Sequence, residues 1–374
     1  MLFKNARIFT DDDRFVHGSF RVENGIFTEI LDTVPNEDGV DLAGAMVIPG
    51  LIDVHIHGCV NVEFSDADYE GLVKMAQYLA QNGITSFAPA SLTLPYDRLE
   101  KAFVCGAKLK KEAPDDCARI VGIHMEGPFF SEKKKGGQNP AYLQNPDFAA
   151  FEKLYNACDG LVRIVDLAPE LPNAVEFTEK ASKLCTVSVA HTDANYDEAA
   201  SVFDAGATHL THLFNAMPPI GHRNPGVIGA ASERGAVRAE LICDGLHVHP
   251  SAVRMGFSLF SDRICMISDA LCCCGMPDGA YVVGEQTVCL ENGVARLASG
   301  TIAGAATNLY GGLKNAVSFG IPLEKAIVSA TKNPAKAVGC DDKLGSIAVG
   351  KYADFIVCDE NLTKIAVYLN GKKL

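Results

Sequence analysis

Pro49-Gly50-Leu51-Ile52-Asp53-Val54-His55-Ile56-His57-Gly58 is a run of β-forming residues that stops on two histidines. Successive side chains along a strand point to opposite faces, so His55 and His57, two positions apart, face the same way and can address one cation. Four further candidate ligands, Glu126, His191, His212 and Asp269, also stand where apolar β-type runs stop. Functional side chains at the C-terminal ends of successive parallel strands are the active-site layout of a (β/α)8 barrel.

Outward from that stretch, eight β-rich runs alternate with helical patterns. They are Leu51 to His55, Ser86 to Ala90, Ile120 to Met125, Val162 to Leu167, Val187 to His191, Thr208 to His212, Ala239 to Cys243 and Ile264 to Ser268. Helices are expected between them, among others over Asp68 to Gln81, Tyr96 to Lys111 and Asp197 to Ala205. A βαβ rhythm predicts a parallel sheet with right-handed crossovers, and eight units suffice to close a TIM-like barrel. The first fifty residues read instead as short strands, Leu2 to Phe9, Phe15 to Val22 and Ile26 to Leu31, with a turn at Glu23-Asn24-Gly25. That texture returns in Lys343 to Ile347, Ala353 to Cys358 and Lys364 to Leu369. The expected architecture is therefore α/β: a small β-sandwich built from both termini, residues 1–50 and 346–374, with a barrel over 51–345 between them. Two stretches fall outside the alternation and are expected to rim the pocket. Gly127 to Asn145 is a long loop, and Ala280 to Ala298 reads as a hairpin turning at Glu291-Asn292-Gly293.

The composition, 48% hydrophobic and 21% charged over 374 residues, is that of a globular chain with a sizeable core. A formal net charge of −13 argues against a nucleic-acid binder, whose affinity for phosphates rests on clustered Lys and Arg. No apolar run approaches the roughly 20 residues of a membrane helix, and the first residues, Met1 to Arg7, lack the apolar core of a signal peptide. Most of the 13 cysteines are accordingly expected to be reduced, in the cytoplasm. Cys272-Cys273-Cys274 has no metal-binding spacing and is expected to serve packing.

Glu126, His191 and His212 offer one carboxylate and two imidazoles, a set that suits Zn²⁺ or Fe²⁺ with a position left open. Asp269, in Ser268-Asp269-Ala270, ends the eighth run, where a carboxylate beside an activated water can take its proton and pass it to a leaving group. His209 lies three residues before His212 and is left out of the ligand set, as is His124, which is expected to supply only a supporting hydrogen bond.

Several segments carry a resemblance. Besides Pro49 to Gly58 they are His124-Met125-Glu126-Gly127-Pro128-Phe129, Ala190-His191-Thr192, Thr211-His212-Leu213-Phe214-Asn215-Ala216-Met217, Asp244-Gly245-Leu246-His247-Val248 and Gly345 to Asp354. On these, from about residue 45 to 360, the chain resembles the amidohydrolase superfamily, and within it the branch that deacetylates phosphorylated N-acetyl amino sugars. The resemblance implies a principal divalent ion on Glu126, His191 and His212, with a second site on His55 and His57 bridged by Glu126. It implies Asp269 at the metal and as catalytic acid and base. Asn215 and Ala216 are implied to contact the sugar, and Arg223 and His247 the 6-phosphate, reaching in from a neighbouring subunit of a homodimer. The implied substrate is N-acetyl-D-glucosamine 6-phosphate, with the galactosamine epimer or another N-acyl amino sugar as the alternative; a non-catalytic metal-binding relative is a third reading.

Two departures stand out. Members of that branch usually carry histidine in the loop that reads Gly136-Gly137-Gln138-Asn139-Pro140 here, where it is thought to polarise the acyl carbonyl. Gln138 donates a neutral hydrogen bond but cannot become cationic, so Gln138→His is expected to raise kcat on the acetamide if polarisation limits the rate. Ala303-Gly304-Ala305 lacks a serine hydroxyl common in relatives.

Overall fold

The computed structural model describes all 374 residues, Met1–Leu374. Nine parallel strand segments appear where the eight β-rich runs predict strands, in two sheets. Leu51–Ile56, Ile84–Pro89 and Arg119–Ile120 form one; Ile123–Met125, Val162–Leu167, Thr186–Val189, His209–Leu210, Arg238–Ile242 and Ile264–Ile267 form the other, each pairing with the next in sequence. The third run is thus split at Val121-Gly122 between the sheets. Backbone hydrogen bonds cross both gaps. Ser91 N–H donates to His124 O at 2.9 Å on one side, and Asp269 N–H to His55 O and His57 N–H to Ala270 O, both at 2.9 Å, on the other.

Helices fill the intervals as expected, with small shifts at their ends: Tyr69–Gln81, Tyr96–Glu112 and Tyr196–Asp204. The last begins one residue early because Asn195 caps it, accepting from Glu198 N–H at 3.0 Å while Glu198 accepts from Asn195 N–H at 2.8 Å. The apolar faces of helices and strands share one core of 74 buried residues. Burial of this kind stabilises by roughly 25 cal/mol per Å² of apolar surface removed from water.

Both ends of the chain enter a single mixed sheet of eight strands. Phe355–Cys358 pairs antiparallel with Met46–Pro49, which lies parallel to Leu2–Phe9. Its core is aromatic: Phe3 stacks on Phe20 with ring centroids 5.0 Å apart and meets Phe355 edge-on at 5.1 Å. Only Gly50 separates Met46–Pro49 from Leu51–Ile56, and a β-carbon there would lie 2.1 Å from Thr85 Oγ1. The crossing point between the sheets therefore requires glycine.

The stretch expected as a hairpin is larger. Gly279–Val283, Gln286–Glu291, Val294–Leu297 and Ile302–Ala305 form a four-stranded antiparallel meander. Its second turn is Asn292-Gly293, both at positive φ, as a two-residue turn between right-twisted strands demands. The last strand is tied to the end of the eighth parallel strand, Ala305 N–H donating to Asp269 O at 2.8 Å. Cys272 and Cys273 are buried in the small apolar cluster under this meander, and all 13 cysteines are free thiols.

Candidate metal centre and active site

Three of the site residues leave their strands in an unusual way. His191, His212 and Asp269 follow the fifth, sixth and eighth parallel strands, and each has a positive φ, +43°, +31° and +51°. Non-glycine residues avoid this left-handed region, and such strain persists where surrounding structure holds it in place. Its effect here is to end those strands at Val189, Leu210 and Ile267, one or two residues before the β-rich runs stop.

The six expected ligands converge. Glu126 Oε1 stands 3.1 Å from His191 Nε2, 3.3 Å from His212 Nε2 and 3.5 Å from His55 Nε2. Its other oxygen, Oε2, is 3.4 Å from His57 Nε2, and Asp269 Oδ1 is 3.3 Å from the same nitrogen and 3.7 Å from His55 Nε2. Glu126 and the four histidines are buried. Each imidazole is held by an acceptor on its outer side: His57 Nδ1 faces Ala90 O at 3.2 Å, His191 Nδ1 Lys134 O at 2.9 Å, His212 Nδ1 Asn215 O at 3.2 Å, and His55 Nδ1 Glu240 Oε2 at 2.9 Å. With the Nδ1 protons donated outward, all four Nε2 lone pairs point inward. His55 Nε2 is buried with no hydrogen-bond partner, and the Nε2 atoms of His191 and His212 lie 3.1 Å apart. Lone pairs so close, around a buried carboxylate, fit a cation between them. The ring of His191 is further fixed by Phe130, stacked on it at 4.3 Å.

The electrostatics agree. Burial pushes the Glu126 carboxyl up, but the imidazoles of His191, His212 and His55 that face it hold it well below the usual carboxylate range. Burial likewise disfavours a charged His55, yet Glu240 and Glu126 keep its pKa well above the ordinary imidazole value, so a proton competes with a cation for its Nε2. The centre is a nest of negative charge that calls for positive charge.

The residues open onto a cavity of about 340 Å³, within the range of small-molecule sites. Asn215, Ala216, His247 and Gln138 line it beside the ligands. His247 Nδ1 is 2.6 Å from Asp244 Oδ2, and although burial opposes its charge, that carboxylate raises its pKa. It can thus present positive charge to an anion. His247 lines the pocket of its own chain, which differs from the expectation that it reaches into a neighbour's. Arg223 is exposed, donates to His222 Nε2 at 2.8 Å and is absent from the lining of its own chain's cavity.

Gln138, which lines the cavity, also supports a ligand. Its amide donates to Glu126 Oε2 at 2.5 Å and its oxygen accepts from Thr93 N–H at 2.8 Å. One N–H of the side chain thus holds the carboxylate ligand. His124 is committed, Nδ1 to Val54 O at 2.9 Å and Nε2 to Asp166 Oδ1 at 3.0 Å, so neither nitrogen has a lone pair to give a metal. Sequence reasoning overlooked the carboxylates below the centre, Asp53, Asp166 and Glu240, all fully buried. A charged residue flanked by apolar ones inside a strand, as Glu240 is in Ala239-Glu240-Leu241-Ile242, was the available signal.

An α/β scaffold with histidines and a glutamate gathered at its strand ends is compatible with a hydrolase that holds a divalent metal, and the chain belongs to the amidohydrolase family, whose model matches residues 46–374. It is 33% identical over 354 residues to the N-acetylglucosamine-6-phosphate deacetylase of Vibrio furnissii, covering 94% of this chain and 88% of that one. To the N-acetylgalactosamine-6-phosphate deacetylase of Escherichia coli O157:H7 it is 30% identical, covering 99% and 98%. Among solved structures it is similar, at a TM-score of 0.94 and 30% identity over 100% of this chain and 98% of the other, to an N-acetyl-D-glucosamine-6-phosphate deacetylase from Mycobacterium smegmatis, an aspartate-to-alanine mutant in complex with N-acetyl-D-glucosamine-6-phosphate.

Proposed function

We propose that this chain removes the acetyl group from N-acetyl-D-glucosamine 6-phosphate, yielding D-glucosamine 6-phosphate and acetate. The observation that carries the reading is the inward turn of four imidazole Nε2 atoms onto Glu126 and Asp269. In this reading Glu126, His191 and His212 hold a principal Zn²⁺ or Fe²⁺, and His55 and His57 complete a second site. A divalent ion there lowers the pKa of water towards ~7 and polarises a carbonyl oxygen. Asp269 accepts the proton of the attacking water as the new C–O bond forms. It then delivers that proton to the amide nitrogen as the C–N bond breaks, so acetate and the amine leave. Asn215 and the backbone of Ala216 orient the sugar, and His247 meets the phosphate. The two parallel sheets act as arcs of one (β/α)8 barrel over residues 51–345, and 1–50 with 346–374 form the small β domain, built on one sheet in place of the expected sandwich. No helix of the structure is long and apolar enough to cross a membrane, and the free thiols fit a reducing cytoplasm.

Arg223 completes the phosphate site only from a neighbouring subunit in this reading, because it stands away from its own chain's cavity. Arg223→Ala is expected to raise KM for the phosphorylated sugar about tenfold to a hundredfold, a charged hydrogen bond being worth ~1.5–3 kcal/mol. KM for the unphosphorylated sugar should stay near its wild-type value; equal effects on both sugars reject the assignment. Gln138→His, expected from sequence to raise kcat, is now expected to lower it about tenfold, since the bonds to Glu126 and Thr93 are lost. A higher kcat in steady-state assays would restore the carbonyl-polarising role.

The similarity to an N-acetylgalactosamine-6-phosphate deacetylase keeps the C4 epimer as a second reading. Acetate release from both epimeric sugar phosphates, with elemental analysis of the protein as purified, tests the whole proposal: no release from either, in metal-loaded protein, refutes it.

A further inference from the structure

Glu240 lies in the seventh parallel strand, fully buried in the middle of the structure, 185 positions along the chain from His55. A carboxylate so placed is costly unless its oxygens are matched by donors. They are. Oε2 accepts from His55 Nδ1 at 2.9 Å and from His212 N–H at 3.3 Å, and Oε1 faces His209 Nε2 at 3.2 Å. Nothing in the reaction touches Glu240, and it is absent from the cavity lining. Of the two rings bonded to it, only that of His55 belongs to the centre. Of the four imidazoles at the centre, His57, His191 and His212 are held by backbone carbonyls, whereas His55 alone is held by a carboxylate.

That difference has a chemical consequence. Neutral imidazole carries one N–H, and the acceptor that takes it decides which nitrogen keeps a lone pair. With Nδ1–H given to Glu240, the lone pair of His55 is on Nε2, the buried atom that lacks any partner and looks towards Glu126 and Asp269. A charged acceptor also makes the ring a stronger donor than a carbonyl does. We propose that Glu240 is the positioning residue that fixes this tautomer of His55 and thereby equips the His55/His57 side of the centre to hold an ion of its own. The inference rests on the reading of the centre as a divalent-metal site and assigns Glu240 no direct part in the chemistry.

The neighbouring cluster of His55, His124 and Glu240 is not a rival metal site. Both His124 nitrogens are spent on Val54 O and Asp166, and His55 Nδ1 bears the proton given to Glu240.

The test is metal titration of stripped protein with Co²⁺, followed by elemental analysis, calorimetry and the visible d–d spectrum. Wild type is expected to take up two equivalents. In Glu240→Gln the amide oxygen still accepts from His55 but carries no charge, so affinity for the second equivalent should fall about tenfold; in Glu240→Ala it should fall about a hundredfold or vanish. The first equivalent should hold within about threefold in the Gln variant, because Glu126 and the rings of His191 and His212 keep their own supports and the amide oxygen still accepts from His212 N–H. Ser188→Ala, which removes a buried hydroxyl bonded to Thr211, controls for general damage and should leave both equivalents unchanged. The Gln variant keeps the shape of the side chain, so it decides the matter even where Glu240→Ala does not fold. Unchanged second-ion affinity in Glu240→Gln, an equal weakening of both ions, or a wild type that takes up one equivalent overturns the inference while leaving a metal centre in place. A wild type that takes up none sinks the metal-centre reading and this inference with it.

Discussion

Asp269→Asn is expected to lower kcat by about 10²–10⁴-fold, the usual worth of a positioned general acid and base, or ~2.7–5.5 kcal/mol of barrier. The substitution is chosen so that little else changes. Asp269 sits at φ +51°, a conformation asparagine tolerates better than most residues. Its backbone is tied on both sides, N–H to His55 O at 2.9 Å and O to Ala305 N–H at 2.8 Å, and neither bond involves the side chain. The amide can still lie near His57 Nε2, which the native Oδ1 approaches to 3.3 Å, but it cannot accept and return a proton. The principal ion is held by other residues, so metal content measured by elemental analysis should stay near that of the wild type. Full activity in the variant would remove Asp269 from proton transfer. Loss of metal along with activity would instead make it chiefly a ligand.

Exhaustive chelation is expected to abolish deacetylation, with activity returning when Zn²⁺ or Fe²⁺ is added back. The stripped centre keeps a buried carboxylate among four imidazoles, with His191 and His212 nitrogens 3.1 Å apart and repelling wherever both are unprotonated. A cation relieves that repulsion, so metal is expected to stabilise the fold as well as enable turnover. At a metal concentration a thousandfold above Kd the linkage is worth about 4 kcal/mol, readable as a rise in Tm on loading. Glu126→Gln should behave as permanently stripped protein, because it removes the one charged group that faces all four rings. Verified metal-free protein that turns over at the wild-type rate, or a Glu126→Gln variant with a normal metal content, would refute the reading.

Much of this arrangement was legible along the chain. His55 and His57 face one way because they are two apart at a strand end, and both reach Glu126 as that spacing requires. The eight β-rich runs all became strand segments, since alternating apolar runs and helical intervals are local patterns that burial converts into elements. What went wrong locally was the extent of the fifth, sixth and eighth strands. His191, His212 and Asp269 continue the β-rich runs in sequence yet turn out of them at positive φ, and no propensity reports a conformation imposed by distant contacts. The commitment of Gln138 to Glu126 and Thr93 was invisible for the same reason, as those partners lie 12 and 45 residues away.

From the sequence alone came the periodicity, the strand ends and the chemical types standing there, because side-chain direction along a strand follows from the residue count. The tertiary structure alone decided which nitrogen of each ring faces inward. That choice depends on acceptors such as Glu240, Lys134 and Ala90, brought alongside only when the strands assemble, and a tautomer is selected by the group across the hydrogen bond rather than by the residues on either side in the chain.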